Sequence, residues 1–281
     1  IAILRSGALS GVAQEHAASV LAGMTSHEHA AVDESARTMN KKDIVEAGGV
    51  PPIVDLLHSG SQGAKKHAAL ALAQLSRSVE DHDSQVQVEI AQAGAISALV
   101  DWLNDPSLGP PAVAARALAD LASSCADTQA SIMEASAIPP LVTMMVRGNI
   151  EGRKWAAGAV AALAAGNVVN QIAIAEEQGI PPLVDLLKNQ AVAGPHANAT
   201  RALWHLSALP ENQLTVAREG ALPPLVGQLQ SELPSTQEWA AAAMQSLSQD
   251  CISNCLSLVK VGAIDPLVQL LGSESADTQL Y

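Results

Sequence analysis

The sequence predicts an all-α solenoid of about three helices per 42-residue unit, and three observations predict it. First, a short apolar phrase recurs as IPPLVTMM, IPPLVDLL, LPPLVGQL and IDPLVQLL, with Pro140, Pro182, Pro224 and Pro266 spaced 42 residues apart. Second, a longer Ala-rich stretch recurs in register with the phrase. Third, glycine stands just ahead of most copies. A fixed period in the forties marks a chain that stacks copies of one unit, each burying its apolar face only against its neighbours.

Each element follows from local chemistry. In the unit between the Pro-Pro pairs at Pro139 and Pro181, residues Ile138–Val146 are short and apolar, with Pro in the first turn, where a missing N–H costs nothing. Arg147-Gly148-Asn149 breaks this helix. Glu151–Ala165 is longer and Ala-rich, and Gly166 stops it. Asn167–Gln178 is a third, short helix carrying Ile172, Ile174 and Ala175, with Gly179 as its stop. Gly48-Gly49, Gly94, Gly220 and Gly262 play the same part ahead of other copies, since glycine enters the left-handed region cheaply. The phrase appears earlier as VPPIVDLL from Val50 and ISALVDWL from Ile96; four extra residues between these two fall in the polar loop Val79–Ser84.

The long stretches align without gaps. Ala17, Ala68, Ala114, Ala156, Ala199 and Ala240 form one column. Leu21, Leu72, Leu118, Val160, Leu203 and Met244 follow four later, and Met24, Leu75, Leu121, Leu163, Leu206 and Leu247 three after that. At about 100° per residue these columns share one buried face, and the small Ala column lets helices approach closely. The whole chain is expected to be one array: a partial repeat over 1–36, repeats at about 37–80, 81–124, 125–166, 167–208 and 209–250, and a partial repeat over 251–281. It opens inside an apolar phrase, IAILRSG, and stops at Tyr281 soon after the sixth phrase, so both ends read as cuts through a repeat.

Composition narrows the function. Hydrophobic residues make up 48% of the 281 residues but aromatics only 2%, with no Phe, which suits closely packed helices of Ala, Leu, Val and Ile. Lys and Arg number 15 against 28 Asp and Glu, a formal charge of −13 that would repel a phosphate backbone, so nucleic acid is not an expected partner. The basic pairs Lys41–Lys42, Lys65–Lys66 and Arg153–Lys154 read as solvated helix faces. Three cysteines, Cys125, Cys251 and Cys255, do not make a disulfide framework and fit a reducing compartment; a cytoplasmic location, also compatible with the nucleus, is expected. No uninterrupted run of 18 apolar residues suggests a membrane span.

Three helices per unit of about 42 residues, with Gly before a Pro-Pro-Leu-Val phrase and an Ala-rich third helix, resemble the armadillo repeat across essentially the whole chain. The HEAT repeat shares the period but usually has two helices per unit, and is the nearest alternative. The resemblance implies a right-handed solenoid in which the third helices line a concave groove that takes extended segments of partner proteins. Helix geometry indexes the matching positions as those one before, two after and six after the Ala column, about 130° from the core face. The rungs are His16, Ser19 and Gly23; His67, Leu70 and Gln74; Val113, Arg116 and Asp120; Trp155, Gly158 and Ala162; Asn198, Arg201 and His205; and Trp239, Ala242 and Ser246.

Importin-alpha proteins repeat Trp and, four residues on, Asn along this ladder to grip basic peptides, and no such pair occurs here. The long basic groove of beta-catenin is not reproduced either, since Arg116 and Arg201 are the ladder's only cations. The expected partner-contacting residues are His16, His67, Gln74, Arg116, Asp120, Trp155, Asn198, Arg201, His205, Trp239 and Ser246. Trp155 and Trp239 stand in one column two repeats apart beside small residues, as aromatic anchors would. Arg116 and Arg201 could fork onto a carboxylate, or Arg116 could pair with Asp120 at i,i+4. Trp102 and Trp204 are expected to pack within or between repeats.

No nucleophile elbow, phosphate loop, dinucleotide fingerprint or zincin motif occurs, so neither an enzyme nor a cofactor is expected. His27-Glu28-His29 and Glu80-Asp81-His82-Asp83 read as solvated loops, not metal sites, and Cys251 and Cys255 as small packing residues. The expected function is a non-enzymatic scaffold or adaptor binding an extended protein segment. The alternatives are a permanent subunit of a larger assembly, or the substrate-binding part of a larger ubiquitin-ligase-type or signalling protein.

Overall fold

A computed structural model of the chain describes residues 11–25, 34–77, 83–123, 125–189 and 194–272. Among these residues there are 18 α-helices, one short 3-10 turn and no strand, which is the all-α class expected. The chain divides into two compact units, Ile1–Pro140 and Leu141–Tyr281.

In the first unit, α1 (Gly11–Thr25) is a long helix. Then α2 (Glu34–Glu46) and the phrase helix α3 (Val50–Ser59) lead to the long helix α4 (Gln62–Ser76). The same order repeats as α5 (Asp83–Gln92), α6 (Ala95–Asn104) and α7 (Pro111–Ala122), followed by α8 (Ala126–Glu134). The phrase helix α9 (Ile138–Arg147) begins as this unit ends. The second unit continues with α10 (Ile150–Ala164), then α11 (Val168–Glu176), α12 (Ile180–Lys188) and α13 (His196–Ser207). After these come α14 (Pro210–Arg218), α15 (Leu222–Gln228), α16 (Pro234–Ser248), α17 (Ile252–Lys260) and α18 (Ile264–Leu271). Phrase helices α3, α12 and α15 open with Pro at the first or second position, where its fixed φ suits the helix start.

The long helices form the spine of each unit. α4 packs on α1 and α7 in the first, and α13 on α10 and α16 in the second, while α3, α6, α12 and α15 each cover the long helix that follows them. The core columns are where the alignment puts them in five of the six long helices: Ala68, Leu72, Leu75, Ala156, Val160, Leu163 and their equivalents are at most 3% exposed. α1 departs from this. Its buried residues are Ala18, Ala22 and Thr25, while Ala17 and Leu21 are half-buried and Met24 is 41% exposed. The cause is its packing partner. α1 lies mainly against α4, so the side facing α4 is buried, and that side is one residue round the helix from the expected column.

Between the short first helix and the phrase helix of each repeat the chain turns through the left-handed region. Gly48, Gly94, Gly220 and Gly262 do so with φ between 66° and 88°, as expected. The other two turns belong to Ser136 (φ 59°) and Gln178 (φ 57°), 42 residues from their glycine equivalents. Gly179, the expected stop, instead has φ −74° and caps the start of α12. The stack fixes the turn, so a residue with a Cβ occupies the left-handed region there at a cost of roughly 1 kcal/mol. Gln178→Gly is therefore expected to stabilise the fold by about 0.5–1 kcal/mol, read as a higher urea midpoint, whereas Gly220→Ala at the equivalent turn lowers it.

A buried polar column, which the apolar periodicity does not reveal, recurs in the short first helices. Gln87, Gln129, Gln171 and Gln213 stand 42 residues apart and are at most 7% exposed. Gln87 Nε2 donates to the carbonyls of Ser76 (2.9 Å) and Ser123 (3.1 Å), thereby linking the ends of α4 and α7. Gln129 reaches Ala122, Gln171 reaches Ala164, and Gln213 reaches Ser246. The residue just ahead adds a second bond: Thr128 to Leu121, Asn170 to Leu163, Asn212 to Leu206 and Asn254 to Leu247. Lys41 holds the same place in α2, its Nζ donating to Arg77 at 2.6 Å. A helix leaves its last carbonyls without intrahelical partners, and these side chains supply the missing donors.

Candidate functional site

The long helices bury two or three of their sides, and the indexed ladder is what they leave. In the first unit His16 is exposed, while His67 and Arg116 are half-buried. Gln74 and Asp120 do not lie on the accessible face as expected: they are only 3% and 8% exposed. Both stand six residues after the Ala column, about 60° round the helix from the buried Ala71 and Ala117, so they turn into the layer between long helices. A carboxylate oxygen of Asp120 lies 3.7 Å from an Arg77 guanidinium nitrogen, across to the preceding long helix.

The second unit brings more of the ladder together. Trp155 on α10 is half-buried, with its Nε1–H donating to Glu151 at 3.2 Å and the Lys154 ammonium 5.0 Å from its ring centroid. Asn198 on α13 donates to the Lys154 carbonyl at 2.8 Å. Gly158 makes that approach possible, because a Cβ there would lie 2.9 Å from Asn198 Nδ2. Arg201 reaches the Gly158 carbonyl (3.4 Å), and its guanidinium lies 5.4 Å from the ring centroid of Trp239 on α16. Such a contact between a cation and an aromatic face fixes both groups. Four residues on from Arg201, His205 stacks on Trp204 with ring centroids 4.3 Å apart. Burial, and then the Arg201 charge, lower its pKa to about 4, so near neutral pH it is uncharged. Ser246 is half-buried, and its carbonyl accepts the bond from Gln213.

Trp155, Asn198, Arg201, His205, Trp239 and Ser246 thus occupy successive long helices of one unit, held by contacts that run from helix to helix. Lys154 and Gly158 were missed as participants. The sequence signal for Gly158 is its place as the only glycine in the column two after Ala, inside a helix where Gly costs about 1 kcal/mol against Ala.

Solved structures resemble the chain over most of its length. An engineered protein is 28% identical, covers 88% of this chain and 94% of its own, and superposes with a TM-score of 0.74. A designed armadillo repeat protein is 26% identical over 88% of this chain and 98% of its own, with a TM-score of 0.75. The armadillo/beta-catenin-like repeat family matches residues 37–77 and 210–249. The chain has the armadillo-repeat solenoid fold. A further designed armadillo repeat protein, solved in complex with the peptide (KR)4, is 26% identical over 82% of this chain and 95% of its own, with a TM-score of 0.70. Among curated proteins there is no match.

Other expectations resolve within the armadillo fold. Trp102 is 2% exposed and packs in the core as expected. Trp204 is half-buried and stacks on its neighbour His205. Cys251 is half-buried and Cys255 exposed, so they are not packing residues; Cys255 takes the last place in the glutamine column, its Sγ 3.3 Å from the Ser248 carbonyl. The His27–His29 and Glu80–Asp83 segments lie outside the residues whose side chains are described. Among the described residues no three His, Cys, Asp or Glu side chains gather as a metal site, and no single helix is long and apolar enough to cross a membrane.

Proposed function

We propose that this armadillo chain is a non-enzymatic scaffold that captures an extended segment of a partner protein along the ladder face of its long helices. The observation that carries this reading is the second-unit constellation, in which Trp155 and Trp239 stay half-buried while the neighbouring stretches 156–163 of α10 and 240–244 of α16 are packed away. Both rings are already held, Trp155 by Glu151 and Lys154 and Trp239 by Arg201, so little side-chain freedom is left to lose on binding. A related designed armadillo protein, solved in complex with a peptide, supports the kind of partner. In the second unit Asn198, His205 and Ser246 supply polar contacts beside the two rings; in the first unit His16, His67 and Arg116 hold the corresponding positions, with Gln74 and Asp120 buried beneath them. One Asn198 amide N–H is engaged with Lys154, which leaves its second N–H and its carbonyl oxygen as the groups offered to a partner backbone.

A Trp155→Ala, Trp239→Ala double variant is expected to bind a captured segment at least about tenfold more weakly, measured by calorimetry or fluorescence anisotropy. Unchanged affinity with intact helicity would remove both residues from the site. A cytoplasmic setting and an adaptor role within a larger signalling or ubiquitin-ligase-type protein belong to the same proposal and rest on cysteine usage and fold alone.

A further inference from the structure

The short first helices of the second unit hold large apolar side chains in solvent, in register. On α11, Val168 and Ile172 are 55% and 43% exposed. One repeat on, α14 has exposed Pro210 and Leu214 in the same two columns, and α17 has Ile252 and Leu256. Each pair stands one turn apart on its helix, so the columns form a stripe across three successive repeats. α11 and α14 lie inside the array, with α8 and α17 one repeat to either side, so the exposure is that of interior helices.

The fold does not require these side chains. The first unit fills the same columns with Thr38 and Lys42 on α2 and with Ala126 and Ala130 on α8. What the stack takes from α11 and α14 is supplied by the buried Asn170, Gln171 and Ile174 and by Asn212, Gln213 and Val216. Large apolar groups kept out of the core in consecutive copies mark an interaction surface.

Two properties select the occupant. The first is size. The three helices have nine residues each, about 13 Å at 1.5 Å per residue, and packed helices lie about 10 Å apart, so the stripe covers on the order of 400 Å². A stable contact with a second copy needs roughly 800 Å² per partner. A single helix of about five turns is about 27 Å long and spans the stripe. The second property is charge. On α11, α14 and their C-caps the exposed Glu176, Glu177, Glu211 and Glu219 stand against Arg218, with Lys260 beyond them on α17, in a chain of formal charge −13. That balance repels anionic surfaces and attracts cationic ones.

We infer that α11, α14 and α17 seat a basic amphipathic helix of a partner protein. Its apolar stripe lies on Ile172, Leu214 and Leu256, and its Lys or Arg flanks lie beside the glutamates. The ladder is on the long helices, so the two surfaces can be altered separately.

The probe is a fluorescein-labelled peptide of about 18 residues, with Leu at i, i+3, i+4 and i+7 spacing and Lys elsewhere, read by anisotropy against the full chain at about 0.15 M salt. Binding is expected with a Kd of about 10–100 μM. The same peptide with Pro at two central positions keeps its charge but loses its helix, and is expected to bind at least about tenfold more weakly. Ile172→Glu with Leu214→Glu is expected to weaken binding at least about tenfold too, although a merely electrostatic contact would gain from the added negative charge. Lys42 holds this column in α2, so a charged side chain is accommodated there and helicity by circular dichroism is retained. Ile172→Ala with Leu214→Ala, which copies Ala130, is expected to weaken binding with no change of charge. No binding by wild type up to about 1 mM, equal binding of the Pro peptide, or undiminished binding by the Glu variant would overturn the inference. So would wild-type self-association at about 100 μM, or binding to phosphatidylserine vesicles, that the Glu variant abolishes, since the stripe would then serve a second copy or a membrane. The Trp155→Ala, Trp239→Ala variant is expected to bind the peptide like wild type; a loss there would put the peptide on the ladder instead.

Discussion

Leu163→Ala is expected to cost about 2–5 kcal/mol of stability, because the side chain is fully buried between α10 and its neighbours and its removal leaves a cavity as well as lost apolar burial. Met24→Ala removes a side chain of similar size from the aligned position and is expected to cost less than about 1 kcal/mol, since Met24 on α1 is 41% exposed. Urea unfolding of the two variants beside wild type measures both. The contrast separates two ideas that the repeat pattern alone confounds, namely that a column is buried because of its residue type, or because a neighbour covers it. Equal losses at the two positions would contradict the burial described for α1.

The second large effect is expected at the polar column. Gln87→Ala leaves the carbonyls of Ser76 and Ser123 without their side-chain donor in a buried site, and a loss of about 2–4 kcal/mol follows from two unsatisfied acceptors and a small cavity. Because Gln87 joins the ends of two long helices, amide hydrogen exchange in the last turns of α4 and α7 should quicken together in this variant. Exchange that quickens in only one helix, or a stability change below about 0.5 kcal/mol, would show that the column does not couple successive repeats.

The apolar pattern was legible because it depends on period and type alone. Pro182 and Leu183 announce a helix start and a buried side whatever surrounds them, and the columns through Ala156, Val160 and Leu163 follow from 3.6 residues per turn. What depends on neighbours was not legible. The side of α1 that is buried is set by α4, a contact that no local rule contains. The left-handed turns at Ser136 and Gln178 are imposed by the stack on residues with no preference for them, and the glycine beside the second, Gly179, has an ordinary negative φ. The glutamine column was visible in principle at 87, 129, 171 and 213, but polar residues on short helices read as solvated unless one asks where the carbonyls of the adjoining helix find their donors. At the ladder, helix geometry placed the rungs but not the depth of each, and so Gln74 and Asp120 were expected on a face from which inter-helix packing withdraws them. Gly158 stands on the ladder with no side chain of its own, and its missing Cβ is what admits Asn198.

The central functional claim is that a partner segment lies across Trp155 and Trp239. Hydroxyl-radical footprinting of the chain, alone and with a segment recovered by affinity capture, tests it most directly. The expected result is strong protection of Trp155 and Trp239 on binding, with buried Trp102 unchanged as the internal control. Protection confined to exposed residues of the short helices, such as Ile172, Leu214 and Leu256, with both ladder tryptophans as reactive as before, would contradict it.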